Sequence, residues 1–306
     1  MWMEGSTSNA YRMWFQHMDI NRIPFYQYNT IIVGTGAAGL NAAVTLHKLG
    51  QKNIALITEG RYMGTSRNTG SDKQTYYKLT QCGSEPDSVR KMAETLFDGG
   101  CVDGDIAMAE AAGSLRAFYH LVDIGVPFPF NKSGEYVGYK TDHDPLKRGI
   151  SAGPLTSKYM TECLERQAEE RGIPFFDGYQ AVRLLTEEKN GEKWAAGIIA
   201  LNKRKAASAD ERYAVFSAVN IIWATGGEAG MYQASVYPVS QTGGMGVLLE
   251  AGAVAKNLTE SQFGIASVKH RWNLSGTFQQ CLPRYISAEQ DGSHEREFLN
   301  DYFDTP

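Results

Sequence analysis

NTIIVGTGAAGLNAAVTLHKLGQKNIALITE, residues 29–59, decides the fold of this chain. Its first five residues are β-branched and apolar around Ile31, Ile32 and Val33, the composition of a strand buried on both faces. Gly34-Thr35-Gly36-Ala37-Ala38-Gly39 follows and matches G-x-G-x-x-G. Leu40, Ala43, Val44 and Leu49 then recur at roughly helical spacing, and Gly50 supplies a stop. Ile54-Ala55-Leu56-Ile57 reads as a second buried strand that leads to Glu59. In such a βαβ unit Gly34 permits the tight turn, Gly36 lets a pyrophosphate approach the backbone, and Gly39 lets helix and strand pack closely. Free N–H groups at the helix start, including those of Ala37 and Ala38, face the phosphates. Glu59, twenty positions after Gly39, is placed to accept hydrogen bonds from an adenosine ribose. The order of strand, turn, helix, strand and acid favours dinucleotide binding over an ordinary glycine-rich turn, and leaves NAD and FAD both open.

The rest of the composition narrows the class. A chain of 306 residues holds one large α/β domain, or one domain and part of a second. A net charge of −4 gives no basic surface for nucleic acid. No apolar run approaches the ~20 residues of a membrane span. Residues 1–28 mix Trp2, Trp14, Phe15, Phe25 and Tyr26 with Glu4, Arg12, His17, Asp19 and Arg22, which is not the pattern of a secretory signal. They read as a leader packed over the sheet or the domain edge, and a cytoplasmic location is expected. Cys82, Cys101, Cys163 and Cys281 lie far apart with no C-x-x-C, so buried reduced thiols are expected and no metal centre. The six histidines form no ligand pair.

Residues 60–75, from Gly60 to Thr75, are polar and glycine-rich and directly follow the second strand. Either this is a solvated loop, or its hydroxyls and amides, among them Gly64, Thr65, Ser66, Gly70 and Ser71, meet a ring system bearing carbonyls and nitrogens. Residues 84–126 read as helical, broken at Gly99-Gly100, and residues 155–171 as another helix. Residues 179–185 read as a strand containing Val182. Lys189-Asn190-Gly191-Glu192 is a hairpin signal to the strand 194–201, and a further strand is expected at 213–218. Asn220-Ile221-Ile222-Trp223-Ala224 looks like a return to the buried parallel sheet, closed by Thr225-Gly226-Gly227.

Taken together these landmarks resemble the flavoprotein family of fumarate reductase, succinate dehydrogenase and L-aspartate oxidase. The resemblance rests on the glycine turn, Glu59, the loop from Gly64 to Lys73, the 222–227 segment, and Thr242-Gly243-Gly244-Met245-Gly246 with Ala251-Gly252-Ala253. It implies FAD on the first βαβ unit, the polar loop at the isoalloxazine, and a return of the chain to the cofactor at Ala224, Thr225 and Gly226, with Val182 also at the site. The implied architecture is α/β: a Rossmann-like FAD-binding domain over residues 29–258 with a central parallel sheet and a small antiparallel β insert at about 179–218. Residues 259–306 would begin a capping domain.

Departures shape the expected chemistry. Where the family has Gln-(Phe/Tyr)-His-Pro, this chain has Gln262-Phe263-Gly264-Ile265, and Gln279-Gln280-Cys281 stands where a Thr-Glu pair is usual. Gly244 replaces the usual acid. No histidine lies between Glu59 and Thr75, so the FAD is expected to be noncovalent. Candidate proton donors or anchors are His143 and Arg148, which otherwise sit in a solvated loop, and Arg284, which otherwise makes a structural salt bridge. The resemblance implies an oxidoreductase acting on a C–C or C–N bond of a small carboxylated molecule. Family members run well past this length, so the chain reads as the N-terminal part of a longer flavoprotein. The alternative is an incomplete flavin-binding subunit that works through a C-terminal half or an electron-transfer partner chain.

Overall fold

The computed structural model describes residues 22–69, 74–141, 144–204, 212–227, 244–258, 266–267, 272–273, 281 and 283–302. In chain order the elements that matter are β1 (Phe25–Val33), α1 (Ala37–Lys48), β2 (Ile54–Thr58), the short α2 (Thr65–Asn68), β3 (Tyr76–Tyr77), α3 (Val89–Phe97) and α4 (Gly104–Asp123). Then come β4 (Gly149–Ile150), α5 (Thr156–Glu170), β5 (Phe175–Asp177), β6 (Tyr179–Lys189), β7 (Glu192–Asn202), β8 (Tyr213–Trp223) and α6 (Met245–Glu250). One six-stranded sheet in the order β5-β2-β1-β8-β7-β6 organises them. Its first four strands are parallel, and β7 and β6 run antiparallel at the far side.

Two expectations change. Residues 213–218 and 220–224, expected as two strands, are one: β8 runs unbroken, pairing with β7 through Ser217 and with β1 from Val215 to Trp223. No turn residue separates Ala218 from Asn220, so nothing interrupts the ladder, and the antiparallel insert is an extension of the main sheet. Strand β1 also begins inside the expected 1–28 leader, at Phe25. Tyr26 and Tyr28 explain why. Tyr26 stacks on Phe216 at 4.9 Å and meets Phe176 edge-on at 4.7 Å, while Tyr28 lies 6.0 Å from Phe176. Residues 1–21 lie outside the described residues.

The two outer strands are consecutive in the chain, joined by Gly178 alone. The sheet must therefore curl until β6 lies against β2. Aromatic rings of Tyr26, Phe176, Tyr179 and Phe216 fill the inside of that curl. On the other face α1, α4 and α5 pack Leu40, Val44, Phe118, Leu121 and Leu164 onto Ile32, Ile54 and Leu56. The alternation of faces along β1, with Ile32 to the helices and Ile31 and Val33 to the curl, is the period of two that a strand imposes. The hairpin turn carries Asn190 and Gly191 at φ 55° and 81°, the positive pair that a two-residue hairpin requires. Of the four cysteines only Cys163 is buried; Cys82 and Cys101 are half-buried and Cys281 is exposed.

A buried ionic cluster ties the α3–α4 pair to the β3–β4 ribbon. Arg148 is buried, and its Nε and Nη2 donate to the two oxygens of Asp87 at 3.0 and 2.7 Å. Nη1 reaches Thr95 at 2.9 Å, Tyr77 at 3.2 Å and Asp144 at 3.5 Å. Burial pushes the Tyr77 phenol up to about 12, helped by its hydrogen bond to Asp144, so it stays a donor. Burial alone would raise the Asp87 carboxyl, but hydrogen bonds from Arg148, Thr80 and Ser88 hold it below its ordinary 3.8. Arg148→Met should cost about 3–5 kcal/mol by stranding buried carboxylates, read as a lower urea midpoint. Because the folded Asp87 pKa is depressed, its contribution is full above the unfolded value and is lost as pH falls through the folded one. Asp87→Asn should therefore flatten the fall in stability below about pH 4, checked by urea unfolding at pH 7, 4 and 3.

Candidate functional site

A cavity of about 260 Å³ opens beyond the carboxyl ends of β1, β2 and β8, where open α/β sheets hold their ligands. Its floor is a three-way contact of backbone. Gly34 has φ +108°, and a Cβ there would stand 2.2 Å from the Ala224 carbonyl oxygen. A Cβ on Gly39 would stand 2.1 Å from the Gly34 oxygen. Gly36 is different: a Cβ there would meet only Ser66 Oγ, at 3.3 Å, so fold packing alone does not demand glycine.

Helix α1 starts over this floor without a side-chain cap. By contrast Ser88 Oγ caps α3, accepting from the Lys91 amide at 3.1 Å, and Asp103 caps α4. In the first turn of α1 the Ala37 amide donates to Ser66 Oγ at 3.3 Å. The remaining first-turn donors and the helix dipole face the cavity, an arrangement that favours phosphate. Glu59, at the end of β2, is held on one oxygen by Lys203 Nζ, which leaves the second oxygen to accept from a ligand. Thr65 Oγ1, Trp223 Nε1 and Thr225 Oγ1 are buried at the cavity residues and have no partner among the described residues. Buried polar atoms left so cost free energy unless a ligand meets them, so these residues fit a ligand rich in donors and acceptors.

The sequence-expected residues divide cleanly. Gly34, Gly36, Ala37, Ala38, Glu59, Gly64, Thr65, Ser66, Ala224, Thr225 and Gly226 all line the cavity. Gly39 lies beneath it. Val182 does not line it: it sits where the β6–β7 register shifts between Ala181 and Arg183, and the lining comes from Tyr179, Gln180 and Ala181 instead. Gly70, Ser71 and His143 lie outside the described residues. Arg148 is not at the site, since Asp87 and Asp144 hold its guanidinium in the interior. Arg284 is an exposed partner of Glu297, at 2.8 Å, and is not among the residues that line the cavity. Trp223 and Tyr179–Ala181 also line the cavity, and Lys203 meets Glu59 beside it, none of them expected from the sequence. The Phe-Phe-Asp-Gly-Tyr run that joins β5 to β6 was the available signal, since it forces the curl that brings β6 to the cavity. Among the described residues no group of three or more His, Cys, Asp or Glu is placed to hold a metal, and no helix is long and apolar enough to cross a membrane.

A glycine turn under an uncapped helix, an acid at the end of β2 and a returning strand define a dinucleotide-binding domain of the Rossmann type. Residues 29–284 match the family model described as an FAD binding domain, and the chain belongs to that family, whose cofactor is FAD. An L-aspartate oxidase of Agrobacterium fabrum is 28% identical over 242 residues, covering 76% of this chain and 42% of that protein. A succinate dehydrogenase flavoprotein subunit of Coxiella burnetii is 24% identical, covering 78% and 40%. Among solved structures, the open conformation of a flavocytochrome c3 fumarate reductase superposes with a TM-score of 0.68 at 19% identity, covering 92% of this chain and 49% of that one. An E. coli quinol fumarate reductase does so at 0.61 and 22%, covering 74% and 37%. The chain thus spans less than half the length of these relatives.

Gly39→Ala should destabilise the protein by about 1–3 kcal/mol, because its methyl meets backbone rather than a side chain that could move. Gly36→Ala should cost at most about 1 kcal/mol, the price of a poorer N-cap residue. Denaturant unfolding of the two variants side by side checks the order.

Proposed function

We propose that this chain is the FAD-binding part of an oxidoreductase of the fumarate reductase type, acting on a C–C or C–N bond of a small carboxylated molecule. The observation that carries the reading is the cavity at the start of α1, lined by the uncapped helix start, by Glu59, and by Thr65, Trp223 and Thr225, whose buried polar atoms have no partner among the described residues. The relatives named L-aspartate oxidase and succinate dehydrogenase flavoprotein subunit support the substrate class.

When bound, FAD supplies the redox chemistry of such an enzyme. The chain's own groups bind and orient it. Gly36 would give the pyrophosphate access to the backbone, the α1 amides would complement its charge, and the second oxygen of Glu59 would accept from the ribose. Thr65, Trp223 and Thr225 offer polar atoms along the rest of the cavity. With no histidine between Glu59 and Thr75, the cofactor is held by contacts alone.

The second reading, a flavin-binding subunit that turns over only with a partner chain, has its own support. Among the described residues Glu59 is the one carboxylate lining the cavity, with one oxygen held by Lys203 and the other assigned to the ribose. The groups that hold and protonate substrate would then come from elsewhere.

The chain purified and reconstituted with FAD should show flavin absorption bands, and acid precipitation should leave the flavin in the supernatant. Gly36→Val should lose most of the flavin, because its branched side chain fills the phosphate approach, while the apo protein stays folded by circular dichroism. Equal flavin content in this variant and the parent would remove the glycine turn from the site. Turnover by the chain alone with an artificial electron donor distinguishes the first reading from the second.

A further inference from the structure

Helix α5 never touches the cavity, yet it carries the groups that hold one cavity wall in place. Glu162, Glu165 and Glu169 fall on one side of this helix at steps of three and four. Arg61 from the loop after β2 and Arg67 from α2 face them with two guanidinium groups. Glu165 uses both oxygens: Oε1 accepts from Arg61 Nε and Oε2 from Arg67 Nη2. Glu169 takes Arg61 Nη2, and Glu162 stands 3.6 Å from Arg67 Nη1. The central carboxylate is well screened from water, with side-chain exposures of 10% for Glu165 and 13% for Arg67. Arg61 is fixed further by Phe175, whose ring centre lies 4.2 Å from Cζ, and by Asp177, which accepts from its backbone amide at 2.9 Å.

Between the two arginines lie Met63, Gly64, Thr65 and Ser66, which all line the cavity. Apolar burial does not anchor this wall, since Tyr62 and Met63 are 62% and 43% exposed. Among the described residues its hydrogen bond to the glycine turn is the long one from the Ala37 amide to Ser66 Oγ, at 3.3 Å. Charge-assisted hydrogen bonds in a partly dry site are stronger than neutral ones, so the two arginines are the stronger hold.

We propose that Glu165 is a positioning residue of the cofactor site: by clasping Arg61 and Arg67 at once, it fixes the wall at residues 63–66 against the first turn of α1. This rests on the reading that the cavity takes FAD. A glutamine at 165 keeps one acceptor oxygen and loses the other with the charge, so one arginine is released. An aspartate keeps both acceptors on a shorter arm.

The test is FAD titration of the 306-residue chain, wild type against Glu165→Gln, Glu165→Asp and Glu170→Gln, followed by absorbance. Glu165→Gln should weaken FAD binding about tenfold or more, the effect of one charged hydrogen bond. It should also shift the absorption maxima of the bound flavin, while the apo thermal midpoint stays near wild type. Glu165→Asp should recover part of the affinity and the wild-type spectrum, and Glu170→Gln, an exposed change on the same helix, should match wild type. If Glu165→Gln does not fold, Arg67→Met tests the same link from the loop side and should give the same spectral shift. A wild-type chain that binds no FAD overturns this proposal together with the reading it rests on. A wild type that binds FAD, with Glu165→Gln equal to it in affinity and spectrum, overturns the positioning role alone. So does a weakened Glu165→Gln whose apo midpoint falls in parallel and which Glu165→Asp does not rescue.

Discussion

Three backbone segments meet where no side chain could fit, and the rest of the architecture depends on that meeting. Gly34 turns with φ +108° against the Ala224 carbonyl, and Gly39 brings the first turn of α1 onto the Gly34 carbonyl. A methyl at Gly34 or Gly39 would overlap main chain, which cannot move aside as the end of a side chain does. The close approach puts the helix start, the end of β1 and the end of β8 within one cavity. It also explains why β8 must enter beside β1 over its whole length: Val33 pairs with Trp223, and the Ala224 amide donates to the Val33 carbonyl at 2.7 Å.

The second constraint is covalent. A sheet whose two edge strands are joined by a single residue cannot lie open, and the aromatic cluster around Phe216 and Phe176 fills the space its curl encloses. The curl delivers Tyr179–Ala181 to the cavity and Lys203 to Glu59. Asp177 links the two loops at this edge, accepting from the Arg61 amide on one oxygen and from Arg204 on the other. The cavity is therefore framed by polar contacts that tie the loop after β2 to distant sequence, Arg61 to Asp177, 116 residues on, and Glu59 to Lys203, 144 residues on.

What was legible in the sequence follows from this division. The βαβ unit was readable because each step is local: β-branched runs, a glycine spacing and a helical stripe are separated by only a few residues. Asn190-Gly191 marked its hairpin for the same reason. The continuity of β8 was not readable, because Val219 and Asn220 neither continue nor break an apolar pattern, and the partner strand decides. The inward turn of Arg148 was not readable either, since its partners Asp87, Thr95 and Tyr77 are more than fifty residues away and an arginine in a polar loop resembles a substrate anchor. Lys203 and Glu165 carry no local signal at all; only the folded edge brings them to Glu59, Arg61 and Arg67.

The central claim is that FAD lies along the glycine turn, the residue 59–66 wall and the end of β8. Hydrogen–deuterium exchange of the chain with and without FAD tests it most directly. Added FAD should slow exchange in peptides covering residues 34–38, 59–66, 179–181 and 224–226, and leave the Arg148 region unchanged. Slowed exchange elsewhere with none in these four segments, or no change anywhere at saturating FAD, would contradict the account.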